Sequence, residues 1–359
     1  MKKWISLFVV MVLMFSVFAG GENEAEKEDD FKVGFVFTGP ISDGGWTQQH
    51  NAGRLAIEKE FGVATLYKES VPNTQESAKV MRDMIAQGAK MIFATSFGYM
   101  DYMLEVAAEN PDVAFFHCGG YKQSENAVNY LGRMFQARYL SGIVAGLKSE
   151  TGKLGYIAAF EIPEVVRGIN AFTLGARSVN PEATVEIIWT HSWNDPPREK
   201  EASFALIDNG CDVIAQHQTG PANLQAAEAR GVWGIGYHAD MNAAAPEACL
   251  TSAYWNWTPY YLQEVKAVMD GTWKAENFWS GLDMDIVRVA ELGKNAPAGA
   301  ADLVAEAEAM IKAGTLSVFE GPLKNNEGVL IVEDGVTPSD GELLGMNWLV
   351  EGVIGTIGN

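Results

Sequence analysis

The stretch Lys32–Gly53, KVGFVFTGPISDGGWTQQHNAG, decides how the rest of the chain is read. An apolar, aromatic-rich run ends near Phe37, small and polar residues follow, and a helical pattern opens at Trp46. Consecutive apolar residues indicate a strand buried on both faces, and a helix straight after it indicates parallel pairing. The largest side chain of the stretch, Trp46, stands at this strand-to-helix corner, two glycines after Asp43. Either the indole staples helix to sheet, or it offers a flat face to a ligand. Asp43 has two readings as well, ligand contact or helix cap, since Asp is a favoured cap residue.

The same unit recurs outward from that corner. VATLYKESV, KMIFATSFG and VAFFHCGG read as further strands, and TQESAKVMRDMIAQG as a helix. Asn73 is expected to cap that helix, with Glu76 in the capping-box position. The rhythm restarts after Thr151 with KLGYIAAF and continues through TVEIIWTHSW, CDVIAQHQT and WGIGYHAD. Buried strands alternating with amphipathic helices specify an α/β fold with doubly wound parallel sheets. Two successive sets predict two lobes, and 48% hydrophobic residues are enough to bury both cores. Residues 31–125, with a return of about 260–359, form the expected first lobe; 126–259, with the hinge crossings, form the second.

The first residues, MKKWISLFVVMVLMFSVFAGG, have the form of an export signal. Lys2 and Lys3 precede an apolar run from Ile5 to Phe18, too short to span a membrane comfortably, and small residues follow at Ala19–Gly21. Residues 1–21 are expected to be removed and 22–30 to form a flexible acidic tether, which places the mature chain outside the cytoplasmic membrane. Gly21 stands where a lipoprotein would carry its acylated cysteine. The formal charge of −20 becomes −22 once Lys2 and Lys3 are gone. A surface of that sign repels nucleic acid and anionic membranes. Cys118, Cys211 and Cys249 are too few for a disulfide framework and read as small buried hydrophobes.

In open parallel sheets, ligands bind beyond the carboxyl ends of the strands. In the first set those ends carry Asp43, Trp46, Phe97 and Tyr99. In the second they carry Glu161, Trp193, Asn194, His217, Gln218 and Asp240, and Trp255 lies beside a candidate hinge. Aromatics recur at the tips of both halves beside neutral or acidic hydrogen-bonding groups, and Lys and Arg are absent there. Flat walls with polar edges suit an uncharged aromatic ligand. No G-x-G-x-x-G follows a strand, and neither a phosphate-binding P-loop nor a G-x-S-x-G elbow occurs. The five histidines lack metal-site spacing. No cofactor, metal or catalytic group is expected, so the chain reads as a binder rather than an enzyme.

The export signal, the doubled lobes and the segments DGGWTQQH, FATSFGYMD, GYIAAFEIPEVVRGINAF, VNPEATVEIIWTHSWNDP, IAQHQT and DGTWKAENFWSGL together carry a resemblance. From about Lys32 to the C-terminus the chain resembles the basic membrane protein (Bmp) family. These are purine-nucleoside-receptor-like substrate-binding proteins of bacterial ABC transporters. The resemblance implies the type I periplasmic-binding fold with three hinge strands, a membrane permease as partner, and a monomer. It implies also that Asp43 and Trp46 engage the ligand. Nucleoside-binding relatives have Phe-Asn where this chain has Trp46 and Thr47. They also have a D-x-D-like tip, of which only Asp240 matches, with Ala239 beside it. These departures point to a free purine base, adenine or a related purine. Trp46 and Phe97 would sandwich it against Trp193, and Glu161, Asn194, Gln218 and Asp240 would read its edge. The alternatives are a nucleoside, riboflavin or a sugar in the same fold, a ligand sensor for a chemoreceptor, and, from another class, a secreted nucleoside-processing enzyme.

Overall fold

A computed structural model describes residues 31–358. The export signal, the tether and Gly21 lie outside the described residues. The first unit runs β1 (Lys32–Val36), α1 (Trp46–Phe61), β2 (Ala64–Lys68), α2 (Gln75–Ala86), β3 (Ala89–Ala94), α3 (Met100–Glu109), β4 (Ala114–Cys118) and β5 (Ala127–Gly132). The second begins with α4 (Met134–Lys148), β6 (Lys153–Ala158), α5 (Pro163–Val179), β7 (Thr184–Trp189) and α6 (Pro196–Asp208). It continues with β8 (Val213–His217), α7 (Ala222–Ala229), β9 (Trp233–His238) and β10 (Cys249–Trp255). After these come α8 (Thr258–Met269), β11 (Phe278–Ser280), β12 (Val287–Val289) and α9 (Ala300–Lys312). The chain closes with the hairpin β13 (Leu323–Lys324) and β14 (Leu330–Val332), then α10 (Asp340–Leu344) and β15 (Val353–Ile354).

The strands form two large sheets, ordered β11-β5-β4-β3-β1-β2 and β12-β10-β9-β8-β6-β7-β15. Within these two sheets every pairing is parallel except β10 with β12. Strands such as AFFHC and VIAQH are buried along their whole length, as strands covered on both faces must be. Helix α1 opens on Asp43, whose carboxylate accepts the N–H groups of Gly45, Thr47 and Gln48 at 2.7–3.0 Å. It ends at Gly62 in the left-handed conformation, φ 67°. The cap of α2 is Thr74, not the expected Asn73. The Thr74 hydroxyl accepts from the Glu76 N–H, while Asn73 Oδ1 accepts from Ser96 Oγ at 2.8 Å.

Two boundaries differ from the sequence reading. Strand β5, AVNYLG, carries the first sheet on to Gly132, past residue 125. Of the 260–359 return, α8 packs on α1 and β11 joins the first sheet, but β12 and β15 belong to the second and α9 packs on α4. The reason is local: Val287 and Val289 pair with β10, and the buried side of α9, Val304, Ala307 and Ile311, needs an apolar helix opposite it. Among the described residues the chain therefore crosses between the sheets three times, at Arg133, Asn256 and 281–286. Helices α4 and α5 pack backbone to backbone: a Cβ on Gly175 would lie 1.9 Å from the Tyr139 carbonyl oxygen. All three cysteines are buried and unpaired.

Candidate functional site

The two sheets touch where the β1–α1 corner meets the β8–α7 loop. A Cβ on Gly45 would sit 2.2 Å from the Thr219 carbonyl oxygen and 3.3 Å from His238 Cβ. Only glycine permits that approach, and the cleft is closed at this point.

Trp46 stands beside the contact. Its Nε1 donates to the Thr95 carbonyl at the tip of β3, 2.7 Å away. The rings of Trp255, Trp257 and His50 stack in a column, with neighbouring centroids 4.8 and 4.9 Å apart and planes within 13°. The Trp46 indole meets all three nearly at right angles, at 5.8, 6.0 and 4.5 Å. His238 approaches it from the second sheet at 5.5 Å. Edge-to-face pairs of this kind contribute about 0.5–1.5 kcal/mol each beyond their burial. Trp255 Nε1 donates to His238 Nδ1 at 2.8 Å, which leaves the His238 proton on Nε2. His238 itself adopts φ 67°, a strained conformation for a non-glycine residue, located where the sheets meet. Burial pushes the His50, His217 and His238 rings well below the ordinary histidine range, so all three are neutral at pH 7.

The other residues nominated by the sequence fall into two groups. Phe97, 58% exposed, and Trp193, 42% exposed, present open faces on the first and second sheets respectively. Trp193 lies 6.2 Å from the His217 ring, and Phe160 stacks at a tilt beside it. Glu161 faces His191 at 3.5 Å, and Asn194 is exposed on the same rim. The structure does not bring Tyr99 to the cleft. Its ring is fully buried in the other face of the first sheet, and its hydroxyl donates to the Val71 carbonyl at 2.5 Å. Gln218 is buried among its own loop: its amide donates to the Ser192 and Trp193 carbonyls and accepts from Thr190 Oγ1. Asp240 is exposed, with its carboxylate accepting from the Asn242 N–H.

Scanning strand tips missed Arg138 and Arg167, which reach the wall of the second sheet from helices α4 and α5. Arg138 is completely buried, 3.6 Å over the Tyr237 ring. Arg167 donates to the Leu343 carbonyl at 2.6 Å, and burial pulls its guanidinium down to about 10. The signal was present in FQARYLSGIVAG, where an arginine stands in a helix made mostly of apolar and small residues.

A family model described as ABC transporter substrate-binding protein PnrA-like (Bmp) matches residues 31–315. A purine-binding protein of Brucella abortus (strain 2308) is 42% identical over 331 residues, 92% of this chain and 94% of the relative. A Haloferax volcanii protein, named for glucose binding in an ABC transporter, is 41% identical over 303 residues, 84% of this chain and 76% of the relative. The solved structure of an ABC transporter solute-binding protein from Conexibacter woesei superposes with a TM-score of 0.69 at 22% identity, over 80% of this chain and 98% of that one. The fold is the type I periplasmic-binding architecture. Among the described residues no helix is long and apolar enough to cross a membrane. The chain belongs to the PnrA-like (Bmp) family of ABC transporter substrate-binding proteins, extracytoplasmic binders of small molecules that serve a membrane permease and are not enzymes.

Proposed function

We propose that the captured molecule is a purine base, adenine or a related purine, held between the two sheets for delivery to the permease. The observation that carries this reading is the setting of Trp46. Its indole is fixed to Thr95, flanked by a column of rings, and still partly exposed where the tips of both sheets meet. A planar base stacked on such a face gains about 1–3 kcal/mol. Phe97 and Trp193 supply further open aromatic faces from opposite sheets. The purine-binding relative of Brucella supports the same ligand class. The three chain crossings act as the hinge, and closure on the base is a population shift driven by its higher affinity for the closed form. Export through residues 1–21 and a monomeric state complete the proposal.

A sugar is the second reading, favoured by the name of the Haloferax relative. Binding calorimetry with adenine, guanine, hypoxanthine, adenosine, riboflavin and glucose separates the two. A purine base is expected to bind most tightly, and Trp46→Ala to weaken it about tenfold to a hundredfold. Glucose binding without any purine binding below millimolar concentration refutes the proposal.

A further inference from the structure

Behind the aromatic junction, the wall of the second sheet holds an arginine with no hydrogen-bond partner. Arg138 is fully buried, and its Nε, Nη1 and Nη2 all lack an acceptor. The Tyr237 ring beneath the guanidinium offsets part of the lost hydration, but it satisfies none of the five N–H donors. The Tyr156 hydroxyl and His217 Nδ1 are likewise buried and unpartnered. A Cβ on Gly168 would stand 3.5 Å from each of those two atoms, so the bare glycine backbone lies beside both.

The opposite charge in this region is Glu164, in the first turn of α5. Its side chain is 28% exposed, and it lies 3.9 Å from His217 Nε2, too far for a hydrogen bond. Burial raises the Glu164 carboxyl, against the fields of Arg167 and Arg138, yet Arg138 and Glu164 form no ion pair. Opposite charges taken out of water ordinarily close on each other, because each is costly alone. Here the helices hold them apart, Arg138 by the tight α4–α5 packing and Glu164 at the partly exposed start of α5 beside His217. His217 links this cluster to the aromatic junction, with its ring 6.2 Å from Trp193 and 6.3 Å from His238.

We infer that Arg138 and Glu164 are the edge-reading pair of the ligand site. Arg138, with Tyr156 and His217 beside it, donates to a ring-nitrogen or carbonyl acceptor of the base, and Glu164 accepts from the adjacent N–H. The inference rests on the purine reading. Purine bases present an acceptor next to a donor along one edge, and a guanidinium and a carboxylate are strong, directional partners for those two groups. Of the edge readers nominated by the sequence, Gln218 has its amide engaged by its own loop, and the Asp240 carboxylate caps a turn.

Calorimetry of the whole protein and of R138M and E164Q, with adenine, hypoxanthine and glucose, decides the matter, together with the melting temperature of each protein without ligand. Purine affinity is expected to fall at least tenfold in both variants. The ligand-free melting temperature of R138M is expected to hold or rise, because methionine removes an uncompensated buried cation. E164Q keeps the side chain's shape and decides alone should R138M not fold. Purine affinity within twofold of the unchanged protein in both variants overturns the inference and leaves the purine reading standing. Failure of the unchanged protein to bind any purine, with glucose bound, overturns the reading and the inference with it.

Discussion

The two walls of the cleft treat their polar groups differently. At the first sheet's corner, Asp43 caps three backbone amides and Trp46 Nε1 is bonded to Thr95. Opposite, Arg138, Tyr156 and His217 carry buried polar atoms with no partner. The first wall leaves atoms unpartnered too, at Thr47 Oγ1, His50 Nε2 and His117 Nδ1, but none of these residues carries a charge at pH 7. An uncompensated buried cation costs several kcal/mol. The difference separates roles: the first wall is a finished shape, and the second keeps chemistry in reserve for a partner from outside the chain.

Acid is the strongest means of breaking this comparison, because the junction histidines come from both walls. In the fold, burial holds His50, His217 and His238 far below 6.5, whereas each takes up a proton near that value once unfolded. The unfolded chain then binds more protons, so stability falls as pH falls through about 6.5. Three such groups remove about 4 kcal/mol between pH 7.5 and 5.5. His117 adds to the loss in the same direction, while Glu164 and Glu199, whose carboxyls burial raises, oppose it by taking up protons in the fold. Urea unfolding at the two pH values measures the sum. A stability that stays level across that range shows the rings to be protonated in the fold and the junction to be wetter than described.

The contact between the walls is probed by two adjacent glycines that differ in what they touch and in backbone conformation. Gly45 lies against the Thr219 carbonyl, whereas Gly44, at φ 74°, has nothing within 4 Å of an added Cβ. Gly45→Ala forces the walls apart only when the cleft is closed, at a cost of about 1–3 kcal/mol. Gly44→Ala strains open and closed forms alike by about 1 kcal/mol. The first is expected to weaken ligand binding by tenfold or more with little change in ligand-free stability. The second lowers the melting temperature and spares affinity. Calorimetry and thermal melts of both variants test the pair, and the reverse pattern would mean that the sheets close elsewhere.

Much of this was legible because periodicity and helix caps are local. The alternation of KVGFVF with an amphipathic helix announced parallel sheets, and Gly62 ended α1 where a left-handed residue was needed. What was hidden depends on contacts distant in sequence. Tyr99 looked like a tip residue, yet the 3-10 turn at Phe97–Tyr99 rotates it under the sheet to Val71. Gln218 looked free, but its own loop folds over its amide. The destination of the last hundred residues follows from which apolar face is left uncovered, and no single segment records that. Arg138 is not a strand-tip residue: its charge arrives from helix α4, which crosses behind the tips.

Asp43 yields the smallest expected effect and the cleanest division between its two readings. Both carboxylate oxygens accept backbone N–H groups, Oδ1 from Gly45 and Gln48 and Oδ2 from Thr47. A carboxylate engaged in this way at the positive end of a helix serves the helix, and losing such a cap costs about 1 kcal/mol. Asp43→Asn keeps one acceptor oxygen and places an amide where the other was, so stability is expected to fall by about that amount. Purine affinity should change less than twofold, since both oxygens already serve the backbone of α1. A tenfold loss of affinity with stability unchanged would return Asp43 to the ligand and make the first wall a reader of chemistry like the second.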